Sequence, residues 1–190
     1  MKRRKGRITE PSGQSRKIVP GPIYQLLAMG HRRLESLLAR AALIPGRLDL
    51  EAYGEFRAEL LRHIGMEENI LIPAAQRARR GGPLPMAARL RLDHGALAAL
   101  LVPPPTLGIV AAIRAILSVH NLAEEGTGGL YETCEELAGD DLGMLTERLR
   151  DAPYPRLKPH VSNARVDEAT RRALARAGYD FDVLAGPGNH

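Results

Sequence analysis

Apolar residues in this 190-residue chain return every three or four positions, in four long runs separated by proline and glycine. That is the period of an amphipathic α-helix, so each run predicts a helix with one buried stripe. The first is expected to begin after Pro20 and Pro22 and to reach about Leu43, before Pro45-Gly46; its stripe is Tyr24, Leu27, His31, Leu34, Leu38 and Ala41. The second is expected from a cap at Asp49 to about Arg80, with Tyr53, Phe56, Leu60, His63, Glu67, Ile70 and Ala74 inward and a kink where Pro73 removes a backbone donor. The third spans about Pro85 to Val102, with Ala87, Leu90, His94, Leu97 and Leu101 inward, and Pro103-Pro104-Pro105 forbids its continuation. The fourth starts at a Thr106 cap with Ile113, Leu117, His120, Glu124 and Tyr131 inward, and Gly126 to Gly129 are placed to break it just past Glu124.

Short connections between four such helices imply antiparallel neighbours, hence an all-α fold built as an up-down-up-down four-helix bundle. A short helix from Asp140 to about Arg150, a proline-bearing linker over 151–166 and a last helix from a cap at Asp167 to a stop at Gly178 should follow. The expected organisation is a basic leader over 1–20, the bundle over 21–138, and a C-terminal helical extension and tail over 139–190.

Composition agrees with helices: Leu, Ala, Arg and Glu are abundant, Trp is absent and Phe occurs twice. No apolar stretch reads as approaching the roughly 20 residues a bilayer requires, and no hydrophobic region follows the charged N-terminus, so neither a spanning helix nor a secretory signal is expected. A single cysteine, Cys134, excludes a disulfide within the chain and suits a reducing cytoplasm; it reads as a small buried apolar residue. The net charge of +5 misleads, because Lys2, Arg3, Arg4, Lys5, Arg7, Arg16 and Lys17 face only Glu10 within residues 1–17, leaving the remainder near neutral. Such a run could touch nucleic acid or an anionic membrane, but a solvated leader is the expectation.

The candidate chemistry lies on the stripes themselves. His63 and Glu67 are four residues apart, as are His120 and Glu124, so on a helix each pair leaves one face a turn apart. Lone His31 and His94 open matching frames, His-x-x-Leu-x-x-Leu-Leu. Imidazoles and carboxylates in the middle of an apolar stripe cost several kcal/mol if unpaired, and a cation is one partner that serves all six. Any single pair would read as an ordinary helix ion pair; the repeat on four helices is what points to a buried two-metal site. Four imidazoles with two carboxylates suit iron best among abundant metals, with manganese or zinc as alternatives. His160 and His190 fall outside the pattern and read as surface histidines. Glu68 and Glu125 project about 100° from the ligand face, so an outer role is expected for them. Tyr24 and Tyr131 read chiefly as core or rim tyrosines.

Four segments, Gly30-His31-Arg32-Arg33-Leu34, His63-Ile64-Gly65-Met66-Glu67-Glu68-Asn69-Ile70-Leu71-Ile72-Pro73, Asp93-His94-Gly95-Ala96-Leu97 and His120-Asn121-Leu122-Ala123-Glu124-Glu125, resemble the hemerythrin-like (HHE cation-binding) family over about residues 22–138. The resemblance implies two iron ions, oxo- or hydroxo-bridged and without haem, inside a four-helix bundle. It implies Glu67 and Glu124 as bridges, His31 and His63 on one iron, and His94 and His120 on the other. The family's oxygen carriers bear a second histidine on the third helix, four residues from the first; here those positions are Leu90 and Ala98, leaving four histidines. The implied function is binding or sensing of oxygen, nitric oxide, peroxide or iron. A di-iron enzyme acting on peroxide or dioxygen, and a zinc-filled or vestigial interaction bundle, are the alternatives, and whether the chain is an enzyme stays open.

Overall fold

A computed structural model describes residues 20–186; the expectations for the basic leader and for His190 lie outside them. The described residues are helical, without strands: α1 (Pro22–Ala41), α2 (Leu50–Met66), a π-helical segment (Glu67–Leu71), α3 (Ile72–Ala78), α4 (Ala87–Leu100), α5 (Leu107–Glu125), α6 (Leu130–Ala138), a 3-10 turn (Gly139–Asp141), α7 (Leu142–Arg150), α8 (Ala164–Arg176) and α9 (Phe181–Ala185).

Helix starts follow local chemistry. The Asp49 side chain accepts from the Glu51 and Ala52 amides, and Thr106 accepts from Ile109, which satisfies donors a first turn leaves orphaned. Pro22 sits in the first turn of α1, and the Glu135 carboxylate of α6 accepts from the Gly21, Ile23 and Tyr24 amides, tying two distant segments together. The last long helix begins earlier than expected: Asn163, not Asp167, is the cap, accepting from Val166. A further short helix, α9, follows Asp180, whose side chain accepts from Asp182 and Val183.

Two expectations about the second helix change. It is not one continuous α-helix: just before Pro73 the chain widens through the π segment, where the Ile72 amide reaches back to Glu67. The wider turn takes up one extra residue, so the stripe that sequence spacing carries through Ile70 and Ala74 is buried instead at Leu71 and Ala75. In the fourth helix the glycines do break the run: α5 ends at Glu125, and Tyr131 belongs to the separate helix α6.

The core is two apolar clusters with a polar layer between them. One gathers Leu34, Leu38, Phe56, Leu60, Leu97 and Ile113 among others, and Leu174 of α8 joins it. The other gathers Ile23, Leu27, Leu71, Leu90 and Leu130, together with buried Cys134. Along α1 the second cluster comes first, then His31, then the first cluster; along α2 the order reverses around His63. The same alternation holds for α4 around His94; α5 carries only the first cluster before His120, and the second resumes on α6 at Leu130.

Contrary to expectation, the helical run Leu107–Arg150 holds an 18-residue window of mean hydropathy 1.4, long and apolar enough by composition to cross a membrane. Half of that window is buried within the protein, the profile of a core helix. The 151–163 segment has no regular structure but lies against the bundle: Arg57 donates to the Lys158 carbonyl and Arg62 to the Ala152 carbonyl. His160 in this segment is half-buried beside Tyr53 rather than at the surface.

Candidate metal centre

All six residues singled out on the stripes meet in the polar layer. His31, His63, His94 and His120 are 3–4% exposed, and Glu67 and Glu124 are fully buried. Their donor atoms form two groups sharing both carboxylates: His31, His63, Glu67 and Glu124 in one, Glu67, His94, His120 and Glu124 in the other, with the atoms of each group within 4.8 Å of one another.

Each carboxylate divides its two oxygens between the groups. Glu67 Oε1 lies 3.1 Å from His63 Nε2, and Oε2 lies 3.2 Å from His94 Nε2. Glu124 mirrors it, with Oε2 3.2 Å from His31 Nε2 and Oε1 3.2 Å from His120 Nε2. The helical four-residue step places His63 over Glu67 and His120 over Glu124; α1 lying against α5 brings His31 to Glu124, and His94 of α4 reaches Glu67 of the π segment.

Outside this ring, further carboxylates orient the imidazoles. His31 Nδ1 donates to Glu125 Oε1 at 2.7 Å, and His94 Nδ1 donates to Glu68 Oε1 at 2.7 Å. His120 Nδ1 stands 3.5 Å from Asp93 Oδ2. A carboxylate here can only accept, which assigns the imidazole proton to Nδ1 and turns the Nε2 lone pair inward. Arginines back each outer carboxylate: Arg32 on Glu125, Arg91 on Glu68 and Arg89 on Asp93. The outer role expected for Glu68 and Glu125 is thus the one they occupy. The Nδ1 edge of His63 instead abuts Gly30, where an added Cβ would approach to 2.8 Å, and it borders a surface groove of about 450 Å³ beside Met29, Glu59 and Tyr154.

The centre is short of protons. His31 and His94, anchored through Nδ1, turn their Nε2 edges towards the two carboxylates, and His94 Nε2 and His120 Nε2 stand only 3.2 Å apart. Glu67 Oε2 and Glu124 Oε1 are buried without a hydrogen-bond donor. An inward-facing set of acceptors is what a cation requires, so the donor set fits metal.

Without metal, protons must fill that role. Burial would lower the His31 imidazole, but hydrogen bonds with Glu124 and Glu125 prevail and push it up to about 9. Burial likewise opposes, and Glu67 and Glu68 overcome, a rise of His94 to about 9; for His120 burial is outweighed by Glu124 and Asp93, to about 10. Burial tends to raise Glu67, yet the surrounding His63 and His94 hold it well below the usual carboxylate range.

Tyr131, an inward position in the sequence that reads chiefly as a core or rim tyrosine, lies in the centre itself: fully buried, it donates its hydroxyl to Glu67 Oε1 at 2.6 Å and lies within 3.2 Å of three more donors of the first group. Tyr24 stays at the rim, donating to the Glu125 carbonyl.

No curated protein and no solved structure matches the chain. Residues 23–102 match the family model Hemerythrin HHE cation binding domain, a span that takes in His31, His63, Glu67 and His94 and ends before His120 and Glu124, the pair that α5 brings to the same centre. Over residues 23–102 the chain is therefore similar to the hemerythrin HHE cation-binding domain.

Proposed function

We propose that this chain is a non-haem di-iron protein that binds or senses oxygen, nitric oxide, peroxide or iron itself. The observation that carries this reading is the division of Glu67 and Glu124, each with one oxygen towards each pair of imidazoles. Carboxylates so divided are suited to bridging two ions, which in two-metal sites stand roughly 3.5–4 Å apart. His31 and His63 would hold one ion, His94 and His120 the other. Four imidazoles with two carboxylates favour iron over harder cations.

Bound iron would supply open coordination positions and a redox couple. The chain's own contribution is orientation and exclusion. Glu125 and Glu68 fix the His31 and His94 tautomers, Asp93 faces His120, the apolar clusters on either side keep bulk water out, and the groove beside His63 offers small molecules an approach. The up-down-up-down sense of the four ligand-bearing helices belongs to the same proposal. It is supported by the order in which α1, α2 and α4 visit the two clusters, and by α5 running from the first cluster to the polar layer.

Metal analysis of the full chain purified in air tests the reading. Two irons per chain, with charge-transfer absorption in the near ultraviolet that responds to nitric oxide or peroxide, is the expected result. A single zinc, or no metal, overturns it.

A further inference from the structure

We propose that the phenolic oxygen of Tyr131 is a fifth protein donor to the metal held by His31, His63, Glu67 and Glu124, so that the two ions are bound unequally. This rests on the metal-binding reading above and adds to it a ligand that the His and Glu pattern does not contain.

The argument begins with a count of protons. The Tyr131 hydroxyl oxygen lies 2.6 Å from Glu67 Oε1, 3.0 Å from His31 Nε2, 3.1 Å from Glu124 Oε2 and 3.2 Å from His63 Nε2. A hydroxyl has one hydrogen to donate and two lone pairs to offer. Glu67 Oε1 and Glu124 Oε2 can only accept, so two carboxylates compete for the one hydrogen. As hydrogen bonding the arrangement is overcommitted; as a coordination sphere it is ordinary. Ligands about 2.1 Å from a common ion stand roughly 3 Å from their neighbours when they meet it at right angles. The four distances from the Tyr131 oxygen fit that spacing.

Backbone geometry brings the tyrosine there. On an unbroken helix, Tyr131 would stand seven residues beyond Glu124, roughly 10 Å along the axis. The break at Gly126 to Gly129 offsets α6 so that Tyr131 stands level with Glu124, and both flanking glycines are needed: a Cβ on Gly126 would meet the Leu122 carbonyl oxygen at 2.6 Å, and one on Gly129 would meet that of Glu124 at 2.6 Å. The other tyrosines are engaged elsewhere: Tyr24 with the Glu125 carbonyl, Tyr154 with Glu59, Tyr179 with Arg89, and Tyr53 in the apolar cluster beside Phe56. The asymmetry is thus a property of one residue. In the metal-free chain burial and the two carboxylates hold the phenol protonated, raised well above its usual range. On coordination the O–H bond breaks, the proton leaves to solvent, and the oxygen pair it vacates is donated to the metal; no electrons change hands.

The test uses the full chain loaded with ferrous iron and oxidised by air. A visible phenolate-to-iron charge-transfer band is expected, with resonance-Raman tyrosine ring modes that shift when the protein is grown on ring-deuterated tyrosine. Tyr131→Phe should abolish the band and weaken one iron, while His94→Ala and Tyr24→Phe should keep it. A wild-type chain that holds two irons with no such band, or a Tyr131→Phe variant that retains it, overturns the assignment of Tyr131 and leaves the di-iron reading standing. A chain that takes up no iron overturns both. Should Tyr131→Phe fail to fold, the isotope shift in the wild-type protein decides alone.

Discussion

The two halves of the centre share Glu67 and Glu124 but differ in what surrounds them. In the half built by α4 and α5, both imidazoles face an outer carboxylate, Glu68 or Asp93, each backed by an arginine. In the half built by α1 and α2, only His31 has that support; His63 leans on Gly30 at the edge of a groove, and Tyr131 enters from α6. A ligand pattern that repeats almost perfectly along the chain thus folds into two unlike environments. The repeat sets which atoms converge; what breaks the symmetry lies in residues outside the repeat.

The largest effect should come from removing what the halves have in common. Glu67→Ala or Glu124→Ala is expected to lower metal content to near zero, whereas His63→Ala or His94→Ala should leave about one ion of the pair. Equal loss in all four variants would show that the halves are not separable. Chelation should lower the melting temperature of the wild type, because a metal at a hundredfold its Kd contributes about 2.7 kcal/mol, and should barely move that of Glu67→Ala.

pH should act in opposite directions on the loaded and stripped protein. His31, His94 and His120 are raised from 6.5 to about 9, 9 and 10 in the metal-free chain. Groups raised on folding stabilise most below their unfolded pKa, so the stripped chain should lose stability as pH climbs from about 6.5 towards 10. Metal must displace those protons, so the stabilisation that iron adds should grow over the same interval. Thermal melts with and without chelator across that range check both slopes, and parallel slopes would contradict the proton-filled description of the metal-free centre.

Smaller changes should discriminate between the halves. Glu125→Gln and Glu68→Gln each remove an anchor from one imidazole and are expected to weaken metal binding about 10- to 100-fold in their own half. Gly30→Ala is the mildest: helix propensity alone would favour it by up to about 1 kcal/mol, but its Cβ would press on His63 Nδ1. Calorimetric titration should show one metal bound more weakly and the other unchanged; two unchanged sites would mean that the His63 ring moves aside freely.

Much of this centre is legible in the sequence because its ligands obey helical spacing. His63 with Glu67, and His120 with Glu124, need nothing beyond a continuous helix to share a face, and all six ligand candidates meet where the stripes intersect. What escapes is whatever depends on departures from that regularity. The π segment shifts the buried positions from Ile70 and Ala74 to Leu71 and Ala75, and no composition rule reveals an extra residue in a turn. Tyr131 depends on the offset at the glycine break, whose existence can be read but whose size cannot. Asn163 and Asp167 are both good caps by residue type, so the sequence alone does not choose between them; the structure starts α8 at Asn163.

The polar layer between two apolar clusters has a consequence for the life of the protein. Emptied of cations, the interior becomes an acidic seam joining two oily caps, held shut by borrowed protons. Cohesion then tracks the supply of metal, and the stripped chain should be the form that proteases open first.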